Sequence, residues 1–147
     1  EERFATMVNY PQTTTLWEGW GIGAEGYGGG TTNHAWSGGG LTLLSQYVAG
    51  VYPTSAAYDT FHIKPQLGFL KEVQAVVPCI KGNIEVEIKK QDKYIMKVLI
   101  PPGTEAEIFI PAGYNILKIK ENNLEKALDG KGTSIKLSSG AYNIEAL

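Results

Sequence analysis

Glu18 lies between two tryptophans in Thr13-Thr14-Thr15-Leu16-Trp17-Glu18-Gly19-Trp20. Between Phe4 and Tyr58 the only other charged side chain is Glu25. A lone carboxylate among aromatic and apolar residues is expected to be desolvated, which raises its pKa and suits proton transfer near neutral pH. Tryptophans beside a carboxylate also suit a sugar, whose apolar C–H face stacks on an indole, so Trp17 and Trp20 are candidate substrate contacts. The other reading of Glu18 is a helix cap or the partner of a distant arginine, and residue type alone leaves both open. Cleaving a glycosidic bond takes two carboxyl groups, about 5–5.5 Å apart for retention or about 6.5–9.5 Å for inversion. Glu25 could meet such a distance across a loop. Its spacing does not require that, and a solvated loop acid is the simpler account.

His34, in Asn33-His34-Ala35-Trp36, is the second candidate. It can hydrogen-bond a substrate hydroxyl, or serve as a plain packing or capping residue at a helix start. His62 falls on the polar face of a strand and reads as structural. The two histidines lie in different halves, which argues against a metal site. Cys79 is the only cysteine, so no intrachain disulfide forms and the redox compartment stays open. Gly19-Trp20-Gly21-Ile22-Gly23 follows no strand and lacks the lysine of a phosphate loop. No cofactor is implied.

The elements that must hold these residues divide in two. Residues 1–9 read as the last turns of a helix, closed by Asn9-Tyr10-Pro11. Residues 12–32, with seven glycines from Gly19 to Gly30, read as a long loop ordered by packing. Residues 33–49 read as a helix capped by Thr32 or Asn33 and ended by Gly50. Trp36, Gly40, Leu43 and Tyr47 line one stripe, and Leu41, Leu44 and Val48 the next. A face that wide is expected to be buried on most sides. Gly38-Gly39-Gly40 within it implies close approach of another backbone.

From Thr60 onward the period becomes two. Alternation runs through 61–65, 84–88, 94–100, 106–110 and 117–119, with Val73–Val77, Ile135–Leu137 and Tyr142–Ile144 completing the set. The breaks are Pro101-Pro102-Gly103, Pro111-Ala112-Gly113, Asp129-Gly130 and Ser138-Ser139-Gly140. Short strands at this spacing predict a mainly β fold, an antiparallel β-sandwich over residues 60–147.

Composition places the boundary near residue 59. Of the 13 basic residues only Arg3 precedes it; the other 12 are lysines beyond it, while all three tryptophans lie before. With a net charge of −2 and no clustered basic face, a nucleic-acid partner is not expected. No apolar run is long enough to span a membrane. A segment of 55 residues with two charges cannot form a soluble surface by itself, so the helix is expected to close a larger α-helical domain.

Thr14-Thr15-Leu16-Trp17-Glu18-Gly19-Trp20, Asn33-His34-Ala35-Trp36, the glycine-containing helix, Val48-Ala49-Gly50-Val51 and Phe61-His62-Ile63-Lys64-Pro65-Gln66 together resemble bacterial α-L-rhamnosidases, in order and in approximate spacing. The resemblance runs to about Pro111. It implies that residues 1–58 are the end of an (α/α)6-barrel catalytic domain and residues 59–147 a C-terminal β-sandwich. It also implies inversion by a glutamate general acid and a glutamate general base, with Glu18 as the base and His34 as a substrate contact. The general acid lies on an earlier part of such a barrel, and no matching acidic motif precedes Thr13. The resemblance therefore implies a chain inactive by itself, acting on a rhamnose-containing glycan together with the remainder of the barrel. The stretch from Glu18 to His34 is shorter and richer in glycine than the family pattern, and the residues before the threonine run are compressed. Both departures leave room for a related deoxy- or uronic sugar beside L-rhamnose. The alternatives are a carbohydrate-binding module, in which the sandwich does the work, and a purely structural sandwich.

Overall fold

A computed structural model of the chain describes residues 2–19, 31–126 and 133–147. They fall into two compact units, 1–42 and 43–147.

The first unit contains helix α1 (Glu2–Val8), the segment around Glu18, and the start of a second helical stretch. That stretch is predicted over 33–49 and observed over 35–48. It is not one regular helix. A 3₁₀ turn (Ala35–Gly38) passes into a short α-helix, α2 (Gly39–Leu43), and then into π geometry (Leu44–Val48). Neither Thr32 nor Asn33 caps it. His34 occupies the N-cap position in an extended conformation, and its side chain makes no capping bond. No residue of the stretch is buried, although burial on most sides is expected from its pattern. Trp36 is 61% exposed and Leu41 73%. The apolar face is wide, and among the described residues of the first unit only α1, residues 9–19 and residues 31–34 precede it. At Gly40 the close neighbour is not a backbone: an added Cβ would meet the ring of Phe4 at 3.0 Å.

The second unit holds eight strands: β1 (Val51–Pro53), β2 (Thr60–Ile63), β3 (Glu72–Cys79), β4 (Gly82–Lys90), β5 (Tyr94–Phe109), β6 (Ile116–Glu121), β7 (Leu124–Lys126) and β8 (Ser134–Ala146). The mainly β class is as expected. Hydrogen bonding joins all eight into one sheet in the order β1-β2-β5-β8-β6-β7, with β3-β4 attached to β5 through β4. The sheet is mixed and not wholly antiparallel, because β2 runs parallel to β5, with Phe61 opposite Ala106 and Ile63 opposite Ile108. The chain between β2 and β5 contains the β3–β4 hairpin, which supplies the crossover that a parallel pair requires.

Two expected breaks are bends inside long strands. Pro101-Pro102-Gly103 lies within β5, where the register to β8 shifts between Ile100 and Glu105. A proline is tolerated in a strand at such an irregularity. Gly103 takes φ +71°, and the Thr104 hydroxyl donates to the Pro101 carbonyl at 2.8 Å. Ser138-Ser139-Gly140 likewise sits inside β8. Pro111-Ala112-Gly113 is a true turn, with the Tyr114 N–H donating to the Pro111 carbonyl at 3.2 Å. Asp129-Gly130 lies outside the described residues.

The first half of β5 pairs with β4 and β8, and its second half with β2 and β8. Inward side chains from both halves meet in one core that includes Phe61, Ile63, Ile88, Met96, Ile108 and Ile144. Burying each such side chain contributes about 1.5–3 kcal/mol. At the entry to the sheet, Gly50 follows the π turn with φ +76°, and the Lys64 N–H donates to its carbonyl at 2.9 Å.

Candidate functional site

Residues 15–18 and 31–34 lie side by side. The Glu18 N–H donates to the Thr31 carbonyl at 2.8 Å, and the His34 N–H to the Leu16 carbonyl at 2.7 Å. The Thr15 hydroxyl donates to the Thr32 carbonyl, and the Ser37 hydroxyl to the Trp17 carbonyl. In an extended run successive side chains point to opposite faces. Here Trp17 points in and Glu18 out.

Trp17 is 2% exposed and anchors the segment. Its Nε1–H donates to the Thr13 hydroxyl at 2.9 Å, its backbone N–H meets the Met7 Sδ at 3.4 Å, and the Tyr10 ring packs edge-on at 5.2 Å. Stacking a sugar needs an open indole face, which Trp17 does not offer here. Trp20 and Glu25 lie outside the described residues.

The Glu18 side chain is 21% exposed and that of His34 39%. Glu18 Oε2 accepts from the Thr31 N–H at 3.0 Å and from the Thr31 hydroxyl at 3.2 Å, while Oε1 lies 3.7 Å from His34 Nδ1. These contacts reverse the expected direction of the pKa shift. The Thr31 N–H, first, and then the Thr31 hydroxyl and His34, hold the carboxyl below the usual carboxylate range, and partial burial opposes them without winning. Glu18 is therefore ionised at neutral pH, the state a proton acceptor needs, while the lowered pKa makes it a weaker base than an ordinary glutamate.

Trp36 completes the arrangement; the sequence places it in an apolar stripe and in the Asn33–Trp36 motif but assigns it no role at the site. Its Nε1–H donates to the Glu18 carbonyl at 2.8 Å. Its ring stacks on His34 at 4.3 Å with the planes 12° apart. One side chain thus touches both candidate residues. The available signal was the spacing: an indole two residues after the histidine can reach back over it.

His62, read as structural, accepts or donates at 2.8 Å with the Tyr52 hydroxyl through Nδ1 and lies 3.5 Å from Glu107 through Nε2. Among the described residues no cluster of three or more His, Cys, Asp or Glu could hold a metal ion. No helix among them is long and apolar enough to cross a membrane. Cys79 is a free, half-buried thiol.

A family model described as the bacterial alpha-L-rhamnosidase C-terminal domain matches residues 50–125. Solved structures are similar over more of the chain. An alpha-L-rhamnosidase from Dictyoglumus thermophilum is 26% identical with a TM-score of 0.72, covering 90% of this chain and 16% of that one. A Streptomyces avermitilis alpha-L-rhamnosidase complexed with L-rhamnose is 23% identical, with a TM-score of 0.68 over 90% of this chain and 14% of that one. An Aspergillus terreus alpha-L-rhamnosidase is 17% identical, with a TM-score of 0.67 and the same coverages. The last two matches carry the fold alone. The chain spans about a sixth of the length of these structures. No curated protein matches it.

Proposed function

The chain belongs to the bacterial α-L-rhamnosidase C-terminal domain family, and from that premise we propose that it is the C-terminal part of an inverting glycoside hydrolase releasing terminal α-L-rhamnose. The observation that carries the proposal is Glu18, an outward carboxylate kept ionised by Thr31 and paired with His34. In this reading Glu18 takes a proton from a water positioned opposite the leaving group. His34 binds a sugar hydroxyl, and Trp36 holds both in place. A glutamic acid elsewhere in the parent enzyme protonates the glycosidic oxygen. Inversion requires that the two carboxyl groups stand about 6.5–9.5 Å apart, leaving room for the water.

Residues 1–58 are then the end of the (α/α)6 barrel and residues 59–147 a two-layered C-terminal sandwich. The open apolar side chains Trp36 and Leu41 support this division, as does the likeness to whole rhamnosidases over 90% of the chain. Contacts place the division earlier than this reading does and group residues 43–58 with the strands. The sandwich by itself has a supporting role. Trp17 acts as the anchor of the base, and Trp20 remains the candidate for stacking on the sugar.

The test is kinetic and uses the whole enzyme that carries this chain. Glu18→Gln is expected to lower kcat on an aryl α-L-rhamnoside by about 10²–10⁴, the range of general-base contributions, with circular dichroism unchanged. Near-normal turnover would remove Glu18 from the mechanism. The 147-residue chain alone is expected to show no turnover.

A further inference from the structure

A depression with a volume of about 560 Å³ lies in the second unit, on the outward face of the sheet. Strand register builds its floor from two rows that cross five strands. One row runs Gln74 on β3, Glu87 on β4, Lys97 on β5, Asn143 on β8 and Lys120 on β6, each opposite the next. The other runs Val76, Glu85, Leu99 and Ala141. It ends at Asn122, whose N–H donates to the Ala141 carbonyl at 2.9 Å. Four steps of about 4.8 Å make the floor roughly 19 Å long, a length that fits a chain better than a single small molecule.

The charges on this floor cancel, with Glu85 and Glu87 set against Lys97 and Lys120. Glu87 is clamped, with Oε2 3.1 Å from Lys97 Nζ and Oε1 3.2 Å from Lys89 Nζ. A groove without net charge has no long-range attraction for a polyanion. Its exposed apolar side chains are small aliphatic ones, Val76, Leu99 and Ala141, whereas a stable protein interface has a desolvated apolar core rich in large side chains. What the groove offers in quantity is carboxamide: Gln74, Asn122, Asn123 and Asn143. Each amide presents donors and an acceptor in one plane, the complement of adjacent hydroxyls. Asn143 Oδ1 is buried with no hydrogen-bond partner. That atom has no surface open to the groove, so a ligand meets Asn143 through the rest of its side chain, which lines the floor.

We propose that this groove binds a neutral, extended glycan, with the carboxamides of Gln74, Asn122, Asn123 and Asn143 meeting sugar hydroxyls and with ring C–H faces resting on Val76, Leu99 and Ala141. The groove is built from second-unit residues alone, and the proposal does not depend on the role given to Glu18.

The test is a ¹H–¹⁵N NMR titration of the 147-residue chain with neutral rhamno-oligosaccharides and, separately, neutral xylo-oligosaccharides, with a heparin fragment as the polyanionic arm. Saturable shifts are expected with at least one neutral series, concentrated on the side-chain amides of Asn143 and Gln74 and on the backbone of β4, β5 and β8. Asn143→Ala is expected to weaken binding at least tenfold. Gln74→Ala, on an outer strand, provides a second loss should Asn143→Ala disturb the fold. The proposal is overturned by the absence of shifts with both neutral series, or by a response to heparin alone. It is equally overturned by shifts confined to residues 13–36, or by concentration-dependent shifts of the groove amides without saccharide, which would mark a second copy as the occupant.

Discussion

The proposed base, Glu18, behaves oppositely to what its neighbours in sequence suggest. Tryptophans on both sides imply desolvation, yet Trp17 turns inward and leaves the carboxylate to Thr31, thirteen residues away. Local composition cannot report a hydrogen bond supplied from the far side of a glycine-rich loop. The pH consequence has a definite sign. A carboxyl whose folded pKa is depressed contributes stability that is fully present above its unfolded value and is lost as pH falls through its folded pKa. Thr31→Val removes the hydroxyl and keeps the N–H, which is the larger cause. The Glu18 titration midpoint, followed by ¹³C NMR of the carboxyl, is therefore expected to rise in Thr31→Val while staying below the usual carboxylate range. A wild-type midpoint at or above that range would contradict the described geometry.

At the scale of elements, the alternating strands were legible because one face of each is buried. Ile84, Val86 and Ile88 are 0–2% exposed, with Glu85 facing out. The bends at Pro101–Gly103 and Ser138–Gly140 were not legible, because the same residues serve a reversing turn and an irregularity within a strand. The parallel pairing of β2 with β5 was hidden as well, since alternation fixes which face a residue takes and not which strand lies beside it. Gly50 was read correctly as a helix stop, but for only half of its reason. Beyond its φ of +76°, an added Cβ would lie 2.2 Å from the Lys64 carbonyl carbon and 2.4 Å from Pro65 N. Both objects are backbone and cannot swing away. Gly50→Ala is expected to destabilise the chain by about 2 kcal/mol or more, seen as a fall in Tm of at least about 5 °C. An unchanged Tm would show that the junction between the helical stretch and the sheet is not closed in this way.

For the molecule as a whole, composition divides the chain near residue 59, whereas contacts divide it between residues 42 and 43. The difference lies in residues 43–58, which carry no charge and so look like the first segment. Val51 and Ala49 are nonetheless buried in the core of the second unit. Charge content reports what a surface must meet, and contacts report what it already meets. The apolar side chains left open on residues 35–48 mark where those two differ. They also accord with the proposal that Glu18 acts as a base opposite an acid from another part of a parent enzyme. The most direct test of that arrangement is chemical rescue in the parent. Removing the base with Glu18→Ala should abolish hydrolysis of an aryl α-L-rhamnoside. Added azide, a nucleophile that needs no deprotonation, should then attack the anomeric carbon as the bond from that carbon to the aryloxy oxygen breaks, with the general acid protonating the departing oxygen, restoring release of the phenol and giving the β-L-rhamnosyl azide. Failure of azide to restore turnover, or an α-configured azide product, would contradict Glu18 as the general base of an inverting enzyme.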